Sequence, residues 1–267
     1  MGAEERVEVG GTTLRVKVEG KPDAPWVVLV HSLGTNLDLW DPQVAAFGAD
    51  YRMLRYDLRG HGGSGAPTPP YRMDDLAGDL LGLLKHFGIA RAHVVGISLG
   101  ALLALEVAIR KAPQIASISV CDSRADMPAE FAKAIDDRNA LIREKGMAAI
   151  ADAMTERWLT PATRKERPAI AEKVREMVLA ASVEGFVGCS EAIKASGLME
   201  RMDAIRLPSL FVAADQDGGL PIEVMRGMQL KVPGSGFGVV PAASHLSNLE
   251  QPEIFNAMVL GFIRRVG

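Results

Sequence analysis

Residues 91–110 read RAHVVGISLGALLALEVAIR, and the two halves of this stretch follow different rules. His93 to Ile97 is a short apolar run rich in β-branched residues, the mark of a buried strand. Ala101 to Arg110 is dominated by alanine, leucine and glutamate, which are strong helix formers. Gly96-Ile97-Ser98-Leu99-Gly100 joins them and fits the pattern G-x-S-x-G. A serine on so sharp a strand-to-helix turn is held in a strained backbone conformation with its Oγ exposed. The flanking glycines let strand and helix approach closely. The free N–H groups of the helix start point at the space beside the hydroxyl, where an oxyanion would form. The bare pentapeptide would serve as well in any Gly-rich βα turn. Its place between a strand and a helix marks Ser98 as a candidate nucleophile.

Outward from this turn, strands and helices alternate. Residues 6–18 alternate polar and apolar about Gly10-Gly11 and predict a two-strand hairpin. Trp26 to Val30 is a continuous apolar run, hence a central strand buried on both faces. It ends in His31-Ser32-Leu33-Gly34, at the carboxyl edge where open α/β sheets place their ligands. Leu33 is therefore a candidate oxyanion donor through its backbone N–H, partnering the N–H of Leu99. An ordinary βα turn is the alternative. Tyr51 to Tyr56 is the next strand, Met73 to Phe87 has helical periodicity with Asp74 and Asp75 at its start, and Ile115 to Cys121 is another strand. The order predicts an α/β fold with a mostly parallel sheet and helices on both faces.

Gly60, Gly62 and Gly65 form a G-x-G-x-x-G. A dinucleotide site needs a helix to open at once, and the three prolines between Ala66 and Pro70 forbid it. The better reading is a tight loop fastened beside the site by Asp57 and Arg59. His86 and His93 read as helix-end and strand-edge residues.

The pattern changes at Met127. From there to about Met202 helical segments dominate: Glu130 to Glu144, Met147 to Trp158, Pro168 to Ala181 and Glu184 to Ser196. This predicts a helical cap at residues 127–202, inserted after the sixth strand of a core formed by 1–126 and 203–267. Such a lid excludes water and shapes a pocket. The sheet resumes at Leu210 to Ala214 and ends at Phe237 to Val240, before a closing helix from Glu250 to Arg265.

The 267 residues, 48% hydrophobic and 24% charged, allow a sizeable core. A net charge of −3 gives no footprint for nucleic acid or an anionic membrane. Cys121 and Cys189 are far apart in apolar surroundings, so no disulfide framework is expected. The start MGAEERVEVG lacks the pattern of a signal peptide, and the expected setting is cytoplasmic.

A serine hydroxyl needs a base within hydrogen-bond reach, and the base needs an orienting carboxylate. In a strand-turn-helix architecture of this type the chain order is serine, acid, histidine. His245 is the one histidine after Ser98, and it follows the last strand. The acid is Asp217 or Asp215, both just past Ala214; Glu223 and Glu250 lie further off on predicted helices. Asp217 is preferred, because it lies on the loop beyond the strand end with Pro221 starting the next helix. Turnover is expected to fall at acid pH, since the base must be neutral. Neither a metal nor an organic cofactor is required, and the expected partner is a small molecule with an acyl carbon for the serine to attack; the resemblance described next implies an ester or lactone.

The Ser98 turn, the His31-Ser-Leu-Gly loop, Arg59-Gly-His-Gly, Asp217 and His245 together resemble the α/β-hydrolase superfamily across nearly the whole chain. HSLGTNLDLWDPQ (31–43), YRMLRYDLRGHGGS (51–64), ERWLTPATR (156–164) and GFVGCSEAI (185–193) resemble the 3-oxoadipate enol-lactone hydrolases of bacterial aromatic catabolism. The resemblance implies an α/β-hydrolase fold, a triad of Ser98, Asp217 and His245, and an oxyanion hole at Leu33 and Leu99. It further implies that Trp158 faces the bound lactone, with Arg157 a candidate for its carboxylate. Asp122-Ser123-Arg124-Ala125-Asp126 departs from the Asn-Thr-Ala-Ala type of stretch these enzymes carry. Arg124 either binds a substrate carboxylate or pairs with Asp122 or Asp126, the pairing being preferred. A general carboxylesterase or perhydrolase, a carbon–carbon bond hydrolase and a non-catalytic ligand receptor would all share the triad residues.

Overall fold

The computed structural model describes residues 3–267. Eight strands form one sheet in the order β1-β2-β4-β3-β5-β6-β7-β8. They are β1 (Ala3–Val9), β2 (Thr12–Gly20), β3 (Trp26–Val30), β4 (Arg52–Tyr56), β5 (Ala92–Ile97), β6 (Ile115–Cys121), β7 (Ser209–Ala214) and β8 (Gly236–Val240). Pairing is antiparallel for β1–β2 and β2–β4 and parallel for the rest. The hairpin is longer than its apolar alternation suggests, because Ala3 pairs with Val18 beyond the patterned segment. Its turn falls at Gly10-Gly11, as expected.

The apolar runs make the centre. Val27 to Val30, Val94, Val95 and every residue of β6 and β7 are buried. A fully buried aliphatic side chain contributes roughly 1.5–3 kcal/mol of transfer free energy, so these runs are the main reason the sheet holds together. Helices α1 (Asp41–Gly48), α2 (Met73–His86) and α3 (Leu99–Ile109) connect the first parallel strands. Leu99 to Ala108 of α3 is buried without a break, as befits a helix apolar on all sides. Its one charge, Glu106, is fully buried and met by Arg110 at 2.7 Å and Arg201 at 2.9 Å. His93 is not at a strand edge. It is 5% exposed inside β5, with Nδ1 2.8 Å from Ser117 Oγ on β6.

Between β6 and β7 the chain forms five helices: α4 (Ala129–Lys145), α5 (Ala148–Trp158), α6 (Pro161–Glu166), α7 (Pro168–Ala180) and α8 (Val183–Lys194). Four match the helical patterning. The fifth, α6, has six residues, too few for a periodicity to show, and is set by Thr160 accepting from the Thr163 N–H and by Pro161. Past β7, α9 (Ile222–Leu230) precedes β8. The expected closing helix begins two residues later, as α11 (Pro252–Val266), and a short α10 (Ser247–Glu250) precedes it; Gln251 between them has φ −133° and ψ 61°, outside the helical region, and Pro252 has no N–H to continue a ladder. No helix among the described residues is long and apolar enough to cross a membrane.

Candidate active site

In the strand order, β4 and β5 flank β3 on opposite sides, so the connections reverse direction there. A crevice opens outside the carboxyl ends of strands at such a reversal. Ser98 follows β5 at this point, and Leu33 follows β3. Ser98 has φ 54° and ψ −115°, a left-handed conformation that costs a non-glycine residue about 1–3 kcal/mol. The crowding behind it explains the two glycines. A Cβ on Gly96 would lie 2.1 Å from the Gly100 carbonyl oxygen, and one on Gly100 would lie 2.0 Å from that of Val30.

The structure brings Ser98, His245 and Asp217 together. Ser98 Oγ is 2.9 Å from His245 Nε2, and His245 Nδ1 is 2.7 Å from Asp217 Oδ2. With Nδ1–H donating to the carboxylate, Nε2 is left to accept from the serine hydroxyl. Asp217 Oδ1 accepts the Gly219 N–H at 3.0 Å. Burial opposes ionisation of Asp217, yet the facing imidazole, that N–H and the charge of Arg157 outweigh it and lower the carboxyl pKa. Asp215 is exposed and takes the humbler part, accepting the Ala243 N–H at 3.4 Å.

Ser98, Leu33, Leu99 and His245 all line one cavity of about 620 Å³, mouth included. Neither the Leu33 nor the Leu99 N–H has a protein acceptor among the described residues, and Leu99 is the first residue of α3. The loop carrying Leu33 is fixed from below. His31 Nε2 accepts the Leu58 N–H at 2.8 Å while Nδ1–H donates to Ser32 O at 2.8 Å. Burial lowers the His31 pKa to about 4, so this imidazole is neutral. The neighbouring His61 is pushed down to about 3 by burial and by His31. The glycine-rich loop is fastened by the two residues expected to do so. Asp57 accepts the N–H groups of Leu37 and Gly63, each at 2.7 Å, and Arg59 makes two 2.7 Å bonds to Asp79.

Helices α4, α5 and α8 and the loop before α4 supply much of the remaining wall. Trp158, Arg157 and Arg124 all line the cavity. Trp158 stacks beside His245 with ring centroids 6.1 Å apart. Arg124 pairs with Asp126 through two hydrogen bonds, of 3.0 and 2.8 Å, and lies over Phe131. Phe131, Ile135, Arg138, Met154 and Ile193 complete this wall.

Sequence reasoning missed three supporting residues. Glu250 is buried, and its carboxylate accepts from Thr160 N at 2.8 Å, Thr160 Oγ1 at 2.7 Å and Ser244 N at 2.6 Å. It joins the residue before His245 to the end of α5. Asp122, with φ 44°, accepts from the backbone and hydroxyl of Ser247, and burial together with the charge of Asp217 raises its pKa well above the usual carboxylate value. Arg138 lies in the cavity wall with no carboxylate beside it. A charged residue inside a helical pattern reads as solvated surface, and only the packing of α4 against α8 half-buries it.

A family model described as alpha/beta hydrolase fold matches residues 25–252. The chain belongs to that family, as an enzyme of the carboxylic ester hydrolase class. At finer grain, 3-oxoadipate enol-lactonase 2 of Acinetobacter baylyi is 35% identical over 92% of this chain and 91% of its own length. The crystal structure of an enol-lactonase from Burkholderia xenovorans is 34% identical and superposes with a TM-score of 0.94, over 97% of this chain and 100% of that one. A protein of Pantoea ananatis named provisionally as a carbamate hydrolase is 28% identical over 91% of this chain and 90% of its own.

Proposed function

We propose that this enzyme hydrolyses 3-oxoadipate enol-lactone to 3-oxoadipate through an acyl-enzyme on Ser98. The observation that carries the reading is the unbroken hydrogen-bond chain from Ser98 through His245 to Asp217, opening on a cavity beside two free backbone N–H groups. The kinship with enol-lactonases narrows the substrate.

In this mechanism His245 Nε2 takes the Ser98 proton as Oγ attacks the lactone carbonyl carbon. The N–H groups of Leu33 and Leu99 hold the oxyanion, each contributing roughly 3 kcal/mol in the transition state. Collapse breaks the ring C–O bond, and the imidazolium returns its proton to the departing enol oxygen, which tautomerises to a ketone. Water then loses a proton to His245 and attacks the acyl carbon, and Ser98 recovers its proton as it leaves. Asp217 stays ionised and holds the imidazole in the tautomer with Nδ1–H. The 127–202 segment acts as the cap that keeps bulk water from the acyl-enzyme, with Trp158 forming its floor over the lactone.

The test is steady-state hydrolysis of the enol-lactone by purified protein, against phenyl acetate and a carbamate ester. A kcat/KM for the lactone at least about 100-fold above the others is expected. Equal rates would leave a general esterase, and turnover of a dienoate ring-cleavage product instead would leave a carbon–carbon bond hydrolase. Ser98→Ala should abolish turnover, and a fluorophosphonate should label Ser98. An unlabelled protein that still binds the lactone would be a receptor.

A further inference from the structure

Cys121, Asp122 and Ser123 belong to none of the three segments that carry Ser98, Asp217 and His245, yet they touch all three. The Cys121 carbonyl accepts the Ser98 N–H at 2.9 Å, and the Ser123 hydroxyl donates to the Ser98 carbonyl at 2.9 Å. The Asp122 N–H donates at 2.9 Å to the carbonyl of Val212 on β7, the strand before Asp217. The Asp122 carboxyl accepts the N–H of Ser247, two residues past His245, at 3.3 Å, and accepts its hydroxyl as well. All three residues are buried. The need to satisfy buried polar groups does not explain the arrangement. The Ser98 carbonyl already accepts the N–H groups of Ala101 at 3.0 Å and Leu102 at 3.2 Å, as the start of α3. A carbonyl oxygen has two lone pairs, so the Ser123 hydroxyl adds a bond to a group that lacks none. Asp122 is unfavourable where it stands, as a carboxyl taken out of water. Ile97 pairs with Cys121, so β5 and β6 end level, and each strand turns next through a left-handed residue, Ser98 with φ 54° and Asp122 with φ 44°. Backbone strain of this kind persists only where its surroundings over-determine it, and it gathers at functional sites.

We infer that Asp122 and Ser123 are positioning residues that set the gap between Ser98 and His245. Ser123 grips the backbone of the nucleophile, Asp122 grips the loop of the base, and the peptide bond they share fixes one grip relative to the other. The inference rests on the hydrolase reading above and deepens it, with residues that act through Ser98 and His245 rather than on the reacting atoms. Ser98 and His245 are 147 residues apart in the chain and meet at 2.9 Å. Proton transfer is sensitive to that gap, and a misplacement of about 1 Å can cost about 100-fold in rate. Ser123 also lines the cavity, so a grip on Ser98 has to be separated from a contact with substrate.

The test follows acylation of Ser98 by p-nitrophenyl acetate in single turnovers and its labelling by a fluorophosphonate, with rates normalised to folded protein. Ser123→Ala and Ser247→Ala should each slow both reactions roughly 10-fold while KM changes less than about twofold, since only the transition state needs the exact gap. Ser123→Thr keeps the hydroxyl and Asp122→Asn keeps an acceptor for Ser247, so each should lose far less. A spacer gripped at one end sets no distance, so Ser123→Ala/Ser247→Ala should cost little more than either change alone. Wild-type rates in the single variants overturn the inference. A rise in KM at a constant acylation rate does so too, because Ser123 would then be a substrate contact, and so does a double loss equal to the product of the single ones. Crystal structures give a readout free of turnover. In the double variant Ser98 Oγ should lie beyond about 3.5 Å from His245 Nε2, outside hydrogen-bond range. A retained separation of 2.9 Å overturns the inference even if the rates fall. A lengthened gap in a protein whose wild type neither labels nor hydrolyses the ester would instead remove the hydrolase reading and leave the positioning role standing.

Discussion

The indole of Trp158 lies almost parallel to the imidazole of His245, with 18° between the planes and 6.1 Å between ring centroids. The contact joins the last residue of α5 to the loop after β8. The Leu246 N–H also donates to the Trp158 carbonyl at 3.3 Å. Trp158 is 4% exposed, so truncation leaves a void and frees the imidazole on one side. Trp158→Ala should lower stability by about 3–5 kcal/mol and cut kcat/KM about 10-fold or more, whereas Trp158→Phe should retain most of both. Thermal melts and steady-state rates on the three proteins check this. Equal behaviour of the Phe and Ala variants would remove Trp158 from the argument.

The two aspartates after β7 should separate cleanly. In Asp217→Asn the amide oxygen can stay on the Gly219 N–H while the NH2 faces His245 Nδ1 and holds the imidazole in the wrong tautomer, and kcat should drop by roughly 10⁴, the size such a change has in a serine protease triad. Asp215→Asn touches only a loop N–H and should change kcat less than about threefold. Single-turnover acylation with an aryl ester measures both directly, and a comparable loss in the two would reassign the acid.

Asp122 should destabilise the protein at neutral pH. Its folded pKa is raised by burial and by Asp217, so the native state holds a proton that the unfolded chain has released. Stability from this group is present below the unfolded pKa of about 4 and is lost as pH rises. Asp122→Asn should therefore raise the melting temperature at pH 8 and have little effect at pH 4. A variant less stable at both values would contradict the sign.

His31 and His61 act in the opposite direction. Both are neutral in the fold, with pKa values of about 4 and about 3, against about 6.5 when unfolded. Below pH 6.5 the unfolded chain takes up protons that the native state refuses, so stability falls with falling pH down to about 4. Melting temperature measured between pH 7 and 4 should show that slope, and it should flatten in His61→Gln. A slope unchanged by the substitution would place the acid sensitivity elsewhere.

Much of the fold was legible because its signals are local. The apolar runs of β3, β5 and β6 and the glycines around Ser98 lie within single short segments, and each has one backbone consequence. Loop position favours Asp217 over Asp215, and the structure sets Asp217 at 2.7 Å from His245 Nδ1. What stayed hidden depends on contacts between segments far apart in sequence. Glu250 reads as an exposed first-turn acid until Thr160 and Ser244 are folded against it. His93 reads as a boundary residue until Ser117 on the next strand supplies its partner. Arg138 reads as surface until α8 covers it.

The Glu250 carboxylate constrains how reactants move. One oxygen holds Thr160, between α5 and α6, and the other holds Ser244, beside the base. Tilting the α5–α6 corner outward would either break the bonds to Thr160 or, with them intact, pull on Ser244 beside His245. Under the proposed mechanism, any opening of this corner would therefore be felt at the base, so that substrate entry there and proton transfer would have to take turns.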